Sequence, residues 1–172
     1  VIGPIWGAPA LIHSGEFDRC VADAESAIAS WSALGGNLIT PFWMTTLANA
    51  LRRCGRVGDA LATIDQAQEL AETTGHRVYL ADVYRMKGEI LAHAGAEHGD
   101  PEHYFLKAIE LAPSQQAKSW ELRAATSLAR LWQSQGKLKE AHDLLAPAYE
   151  WFTEGFDTAD LIDAKALLDE LS

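Results

Sequence analysis

The chain has 172 residues, 48% of them hydrophobic, which excludes an extended disordered segment and leaves either one cored domain or a stacked array. Its net charge of −10 argues against DNA, RNA and anionic membranes as main partners. Two distant cysteines, Cys20 and Cys54, and an opening without a basic stretch read as a reduced, cytoplasmic protein, and no apolar run reaches the ~20 residues of a membrane span.

Taken in order, the helical signals fall into pairs. The first hairpin is expected over 4–34, as a short proline-bearing helix over 4–14 and a second helix over 17–34. The second, 38–74, divides at Gly55. Leu38, Phe42, Leu47, Ala50 and Leu51 recur at three- and four-residue steps before the break, and Val57, Ala60, Leu61, Ile64, Ala67 and Leu70 after it. The third hairpin, 76–112, is interrupted between Gly95 and Pro101, where Asp100-Pro101 reads as an N-cap followed by proline in the first turn. The fourth covers 115–153. A ninth helix, 157–171, is expected to start at Asp157 as its cap and to close the end of the stack, with Leu161, Ala164, Leu168 and Leu171 on one side. Strand-like alternation is absent. The chain opens without methionine in the middle of a helical pattern, so its N-terminal side reads as a cut through a longer protein.

Two markers share one period. Gly15, Gly55, Gly95 and Gly136 lie 40, 40 and 41 residues apart, and Ala27, Ala67, Ala108 and Ala148 lie 40, 41 and 40 apart. A period of 20–50 residues is the signature of a repeat architecture. Each hairpin keeps an apolar side until a neighbour stacks on it. The expected fold is therefore all-α: one α-solenoid of antiparallel helical hairpins spanning 1–172, with a capping helix at its C-terminal end.

The pattern of small, large and small residues resembles the tetratricopeptide repeat. The match is carried by Ala48, Leu51, Ala60, Ile64 and Ala67 in the second hairpin, by Tyr84, Gly88, Leu91, Phe105 and Ala108 in the third, and by Ala129, Trp132, Ala141, Leu145 and Ala148 in the fourth. In the first hairpin only Cys20, Ala24 and Ala27 fit. The period departs from the usual ~34 residues, so the helices are about a turn longer. The stretch over 84–171, especially SWELRAA and WFTEGFDT, is similar to the C-terminal arrays of large bacterial signalling proteins that carry an adenylate/guanylate cyclase or regulator domain and a predicted ATPase domain. That resemblance implies a regulatory or scaffolding tail and brings no catalytic residue onto this chain.

Motifs for chemistry are missing. There is no phosphate-binding Gly-rich loop, no G-x-S-x-G elbow and no C-x-x-C pair. His93, His98 and His103 are spaced by five around an acidic loop that a break interrupts, and they read as solvated rather than as a metal site. Cys20 and Cys54 read as buried thiols, and Trp43, Trp120, Trp132 and Trp151 as packing residues. No catalytic residue, cofactor or metal is expected.

The charge is partitioned. The first helices of hairpins two to four are each net positive, while the second helices, with their flanking residues, and the last helix are net negative. In tetratricopeptide arrays the first helices line the concave surface. By that resemblance the concave residues here are Phe42, Thr45, Asn49, Arg52 and Arg53, then Asp82, Arg85, Glu89 and His93, then Arg123, Thr126, Arg130 and Gln133. Asn49 stands at a position that some family members use, with lysines and a second asparagine, to hold a peptide carboxylate; those companions are absent here. Arginine forks suit carboxylates and phosphates. Three readings follow. The first is a non-catalytic module that binds a protein or peptide, including another domain of the same parent chain, in signal transduction. The second is a sensor for a small anionic effector in the concave groove. The third leaves the arginines as a solvated face paired within the array, as Arg85 with Glu89 at i,i+4.

Overall fold

The computed structural model describes residues 16–35, 38–75, 77–95, 98–115 and 117–172. The expected helix over 4–14 lies outside them. Among the described residues there are eight α-helices and no strand. They are α1 (Phe17–Ala33), α2 (Thr40–Arg53), α3 (Val57–Thr74), α4 (Leu80–Ala94), α5 (Pro101–Leu111), α6 (Lys118–Ser134), α7 (Leu138–Glu150) and α8 (Ala159–Glu170). Short 3₁₀ turns, Arg77–Tyr79 and Ala112–Gln115, stand where the sequence pattern extends α4 and α6 backwards.

The chain folds as an α-solenoid. Helices α2 and α3, α4 and α5, and α6 and α7 pair as hairpins, and α1 packs on α2. Helix α2 also packs on α4, α4 on α6, and α6 on α8, so the first helices form an inner row that α8 extends. Each second helix touches its own partner and the first helix of the next hairpin.

The repeat explains how the core is filled. Ala24, Ile64, Phe105 and Leu145 are equivalent positions on the second helices and are all buried at 0–1% exposure. Ala27, Ala67 and Ala108 are buried just as fully, while Ala148 is half-buried near the C-terminal end. On the inner row, Ala48, Gly88 and Ala129 are equivalent and also buried. Small residues there let the paired helices approach, and larger ones fill the space between. The core is a succession of layers rather than one centre. One cluster runs from Cys20 to Ala108 and Ala124, another from Leu122 to Leu171, and Ile109 packs against both.

The turn glycines have a local reason. At Gly55, φ is +76°; its N–H donates to the Arg52 carbonyl, and the Arg56 N–H donates to the Leu51 carbonyl. Gly136 repeats this geometry at +77°, with Lys137 N–H donating to the Trp132 carbonyl. This is the helix-ending motif that needs a left-handed residue, where glycine carries no Cβ penalty. Hairpin three departs from it. Gly95 donates to Leu91, and the chain then runs through Gly99 to Asp100, whose side chain accepts from the Glu102 N–H at 3.0 Å. The expected cap with proline after it is therefore present.

Three expectations are corrected. Helix α8 is preceded by Thr158, not capped by Asp157; the Thr158 N–H turns back onto the Gly155 carbonyl, and no side-chain bond closes the helix end. Helix α7 stops at Glu150, so Trp151 swings outward and is 57% exposed instead of filling the core. Its ring lies edge-on to Phe152, with the Lys118 ammonium 5.5 Å from its centre. Cys54 is half-buried, with its thiol 3.7 Å from an Asp18 carboxylate oxygen, whereas Cys20 is fully buried as expected. Burial, then Asp23 and Cys54, pushes the Cys20 thiol up to about 11. Among the described residues, no helix is long and apolar enough to cross a membrane.

Candidate functional site

Because α2, α4 and α6 lie side by side, equivalent turns of the three helices face one trough of about 460 Å³. Asn49, Arg52 and Arg53 come to it from α2, Arg85, Met86 and Glu89 from α4, and Arg123, Thr126, Ser127 and Arg130 from α6. Five arginines thus converge. A neighbouring concavity shares Arg52, Glu89, Ser127 and Arg130 and continues past His93. Eight of the residues expected on the concave face line the trough: Asn49, Arg52, Arg53, Arg85, Glu89, Arg123, Thr126 and Arg130.

Of the other five, His93 borders the neighbouring concavity and four lie elsewhere on the inner row. Thr45 is buried at 4% exposure, its hydroxyl turned back to the Pro41 carbonyl at 2.8 Å. Asp82 sits beneath the trough, bonded to Arg85. Gln133 donates to Glu170 on α8 at 3.0 Å. Phe42 joins a strip of aromatic rings: it is 5.6 Å from Tyr79, which is 5.8 Å from Trp120.

The floor of the trough is an ionic network. Arg85 is only 5% exposed; its Nε donates to Asp82 at 2.7 Å and its Nη1 to Glu89 at 2.5 Å. The i,i+4 pair read from the sequence is thus in place. Glu89 also accepts from the Ser127 hydroxyl at 3.0 Å and lies 3.4 Å from Arg52. Arg52 in turn donates to the Asn49 amide oxygen at 3.0 Å. Burial works against the charged form of Glu89, but Arg85, Arg52 and the Ser127 hydrogen bond outweigh it and hold the carboxyl below the usual range. Asp82 behaves likewise: burial is overcome by Arg85 and Arg123. Burial also opposes the Arg85 cation, and the same two carboxylates push its pKa up.

The arginines therefore divide by role. Arg85 and Arg52 are locked in the network between hairpins. Arg53 is exposed, lies 5.3 Å from the centre of the Phe17 ring, and has no ion pair among the described residues. Arg123 and Arg130 reach across to α8. The Arg123 Nε is 3.7 Å from Asp160, and Arg130 donates to Asp163 at 2.5 Å. Sequence reasoning missed these two acids as lining residues, because nothing local shows that the closing helix folds back beside α6. Ser127 and Met86, one position beyond expected lining residues, were missed because a trough is wider than a single helical stripe. Among the described residues no three His, Cys, Asp or Glu side chains are grouped to hold a metal ion.

These features define the class: a tetratricopeptide-like α-solenoid with a charged inner face. No family model matches the chain. The solved structures agree on the fold. A chain described as a Podosopora anserina kinesin light chain with nearly identical TPR-like repeats superposes with a TM-score of 0.66 at 15% identity, over 98% of this chain and 83% of that one. A single-residue variant of that same protein gives 0.67 at 14%, with the same coverage. In sequence, an uncharacterized protein of Rhizobium meliloti (strain 1021) is 29% identical over 107 residues. The match covers 62% of this chain and 10% of that protein, so the chain spans about a tenth of its relative's length.

Proposed function

We propose that this chain is a non-catalytic interaction module whose inner trough receives an anionic segment of a partner protein. The observation that carries the reading is the convergence of five arginines from three successive inner helices on one open trough. Guanidinium groups present planar forks that match carboxylates. Arg53, the half-exposed Arg130 and the one-third-exposed Arg123 offer donors to such a segment, while Arg85 and Arg52 keep the hairpins in register. The module acts as a regulatory or scaffolding part of a longer signal-transduction protein in the cytoplasm, in which the partner is another domain of the same parent or a separate protein. The similarity of 84–171 to arrays that follow cyclase, regulator and ATPase domains supports this, as does a relative of which the match covers only a tenth.

The test is a pull-down with the parent protein's other domains, comparing the wild-type array with Arg53→Ala/Arg123→Ala. Binding that the double variant loses, and that falls with ionic strength, is the expected result. Equal capture by both would overturn the assignment of the trough. A second reading, a sensor for a small anionic effector, is favoured by the volume of about 460 Å³, which lies in the range of small-molecule sites. A thermal-shift screen of anionic metabolites separates the two, since a ligand that binds only the folded state raises its stability by mass action.

A further inference from the structure

Helix α8 does more than close the stack. It packs on α6 in the way α6 packs on α4, taking the place of a next inner helix. Its apolar side is firmly seated: Leu161, Ala164, Leu167 and Leu168 are buried against α6 and α7. From that fixed helix Asp160 and Asp163, one turn apart, reach the rim of the trough. They meet Arg130, which stands outside the buried network, and Arg123, whose Nη1 also lies 3.6 Å from Asp82 at the network's edge.

These contacts differ from those on the floor. Asp82 and Arg85 are buried and Glu89 is partly so, whereas Asp160, Asp163 and Arg130 are about half exposed and Arg123 is about a third exposed. Exposed ion pairs are individually weak and screened by salt. The two aspartates can swing into water without moving α8, because leucines hold the helix. They are carboxylates placed where a ligand's carboxylates would go.

Resting on the reading of the trough as an anion-binding surface, we infer that Asp160 and Asp163 are a built-in competitor, and that an acidic peptide enters by displacing them from Arg123 and Arg130. The ligand is then a segment presenting two carboxylates about one helical turn apart. Its affinity is set by exchange: each new ion pair replaces an existing one, and the displaced aspartates remain nearby as like charges. The trough is thereby held to weak, reversible binding and discriminates against single carboxylates.

The experiment is fluorescence anisotropy with a labelled hexaglutamate peptide at low ionic strength, on the whole chain. Four proteins are compared: wild type, Asp160→Asn/Asp163→Asn, Asp169→Asn, and Arg123→Ala/Arg130→Ala. Asp169 pairs with Lys165 on α8 and does not line the trough, so its replacement controls for the loss of one negative charge away from the rim, half the change in the double variant. Removing the two competitors is expected to tighten binding roughly 3- to 10-fold, the scale of one or two exposed ion pairs. Asp169→Asn should change little, and the double arginine variant should weaken binding. Binding by wild type that Asp160→Asn/Asp163→Asn leaves unchanged, or that Asp169→Asn tightens equally, would overturn the competitor while leaving the trough reading intact. No binding by wild type or the double asparagine variant would overturn both. Thermal unfolding checks that the variants are folded; should the double asparagine variant not fold, Asp163→Asn alone is expected to give about half the effect on a logarithmic scale, and its failure to tighten binding counts against the inference.

Discussion

Gly88→Ala sets local propensity against packing. The 40-residue period aligns Gly88 with Ala48 and Ala129, both buried, so a consensus argument would replace the glycine and expect a gain of about 1 kcal/mol in helix propensity. The structure reverses that expectation. A Cβ on Gly88 would lie 2.6 and 2.7 Å from two carbons of the Phe105 ring and 3.0 Å from a third. Carbon atoms prefer roughly 3.5–4.0 Å, so the ring would have to retreat by about 1 Å. Phe105 is 1% exposed and its ring is rigid, so it can retreat only by shifting as a unit against its neighbours. Overpacking of this kind costs about 1–3 kcal/mol. An overlap of about 1 Å on a rigid ring takes the upper half of that range, so after the propensity gain the net loss is about 1–2 kcal/mol, or a fall in Tm of roughly 2–8 °C for a chain of this size. Urea and thermal unfolding followed by circular dichroism measure it. The cause is checked by adding Phe105→Leu: Leu145 and Ile64 hold the equivalent position opposite Ala129 and Ala48, so the double variant should recover part of the loss relative to Phe105→Leu alone. A Gly88→Ala protein as stable as its parent, or a loss that Phe105→Leu does not alter, would refute the packing argument.

Arg85→Met leaves the buried Asp82 and the partly buried Glu89 with weaker partners, Arg123 at 3.6 Å and Arg52 at 3.4 Å. Breaking a buried pair in this way costs about 3–5 kcal/mol, and the remaining arginines place this case near the lower end; equilibrium unfolding reads it, and a loss under about 1 kcal/mol would contradict the network's role. Acid should destabilise the array through the same carboxylates. Asp82 and Glu89 titrate below their ordinary range in the folded state, so the unfolded chain takes up protons first and stability falls as pH drops through and below the usual carboxylate range, about pH 4. Unfolding followed from pH 7 to pH 3 checks this, and the Arg85→Met protein should show a shallower decline. Asp100→Ala removes the one side-chain cap of α5 and should cost about 1 kcal/mol, while Asp100→Ser should retain most of it, both measured by urea midpoint.

The sequence by itself determined the repeat and the fold class. Helix pairs, turn positions and most core residues follow from local rules: three- and four-residue apolar spacing, left-handed glycines at Gly55 and Gly136, and a proline after the Asp100 cap. Eight of the thirteen expected inner-face residues line the trough because a solenoid maps sequence period onto spatial row. Tertiary structure decided what the rows do to one another. It buried Arg85 between Asp82 and Glu89, turned Thr45 inward and left Arg53 in the open. It brought Asp160 and Asp163 onto the same rim as Arg123 and Arg130, their partners from well back in the chain. It also ended α7 early and exposed Trp151, and it made Gly88 a packing requirement. These outcomes depend on which face of one helix meets the next and at what distance. A period of 40 residues fixes the order of the helices, but the separations across their contacts are set by the side chains that fill them.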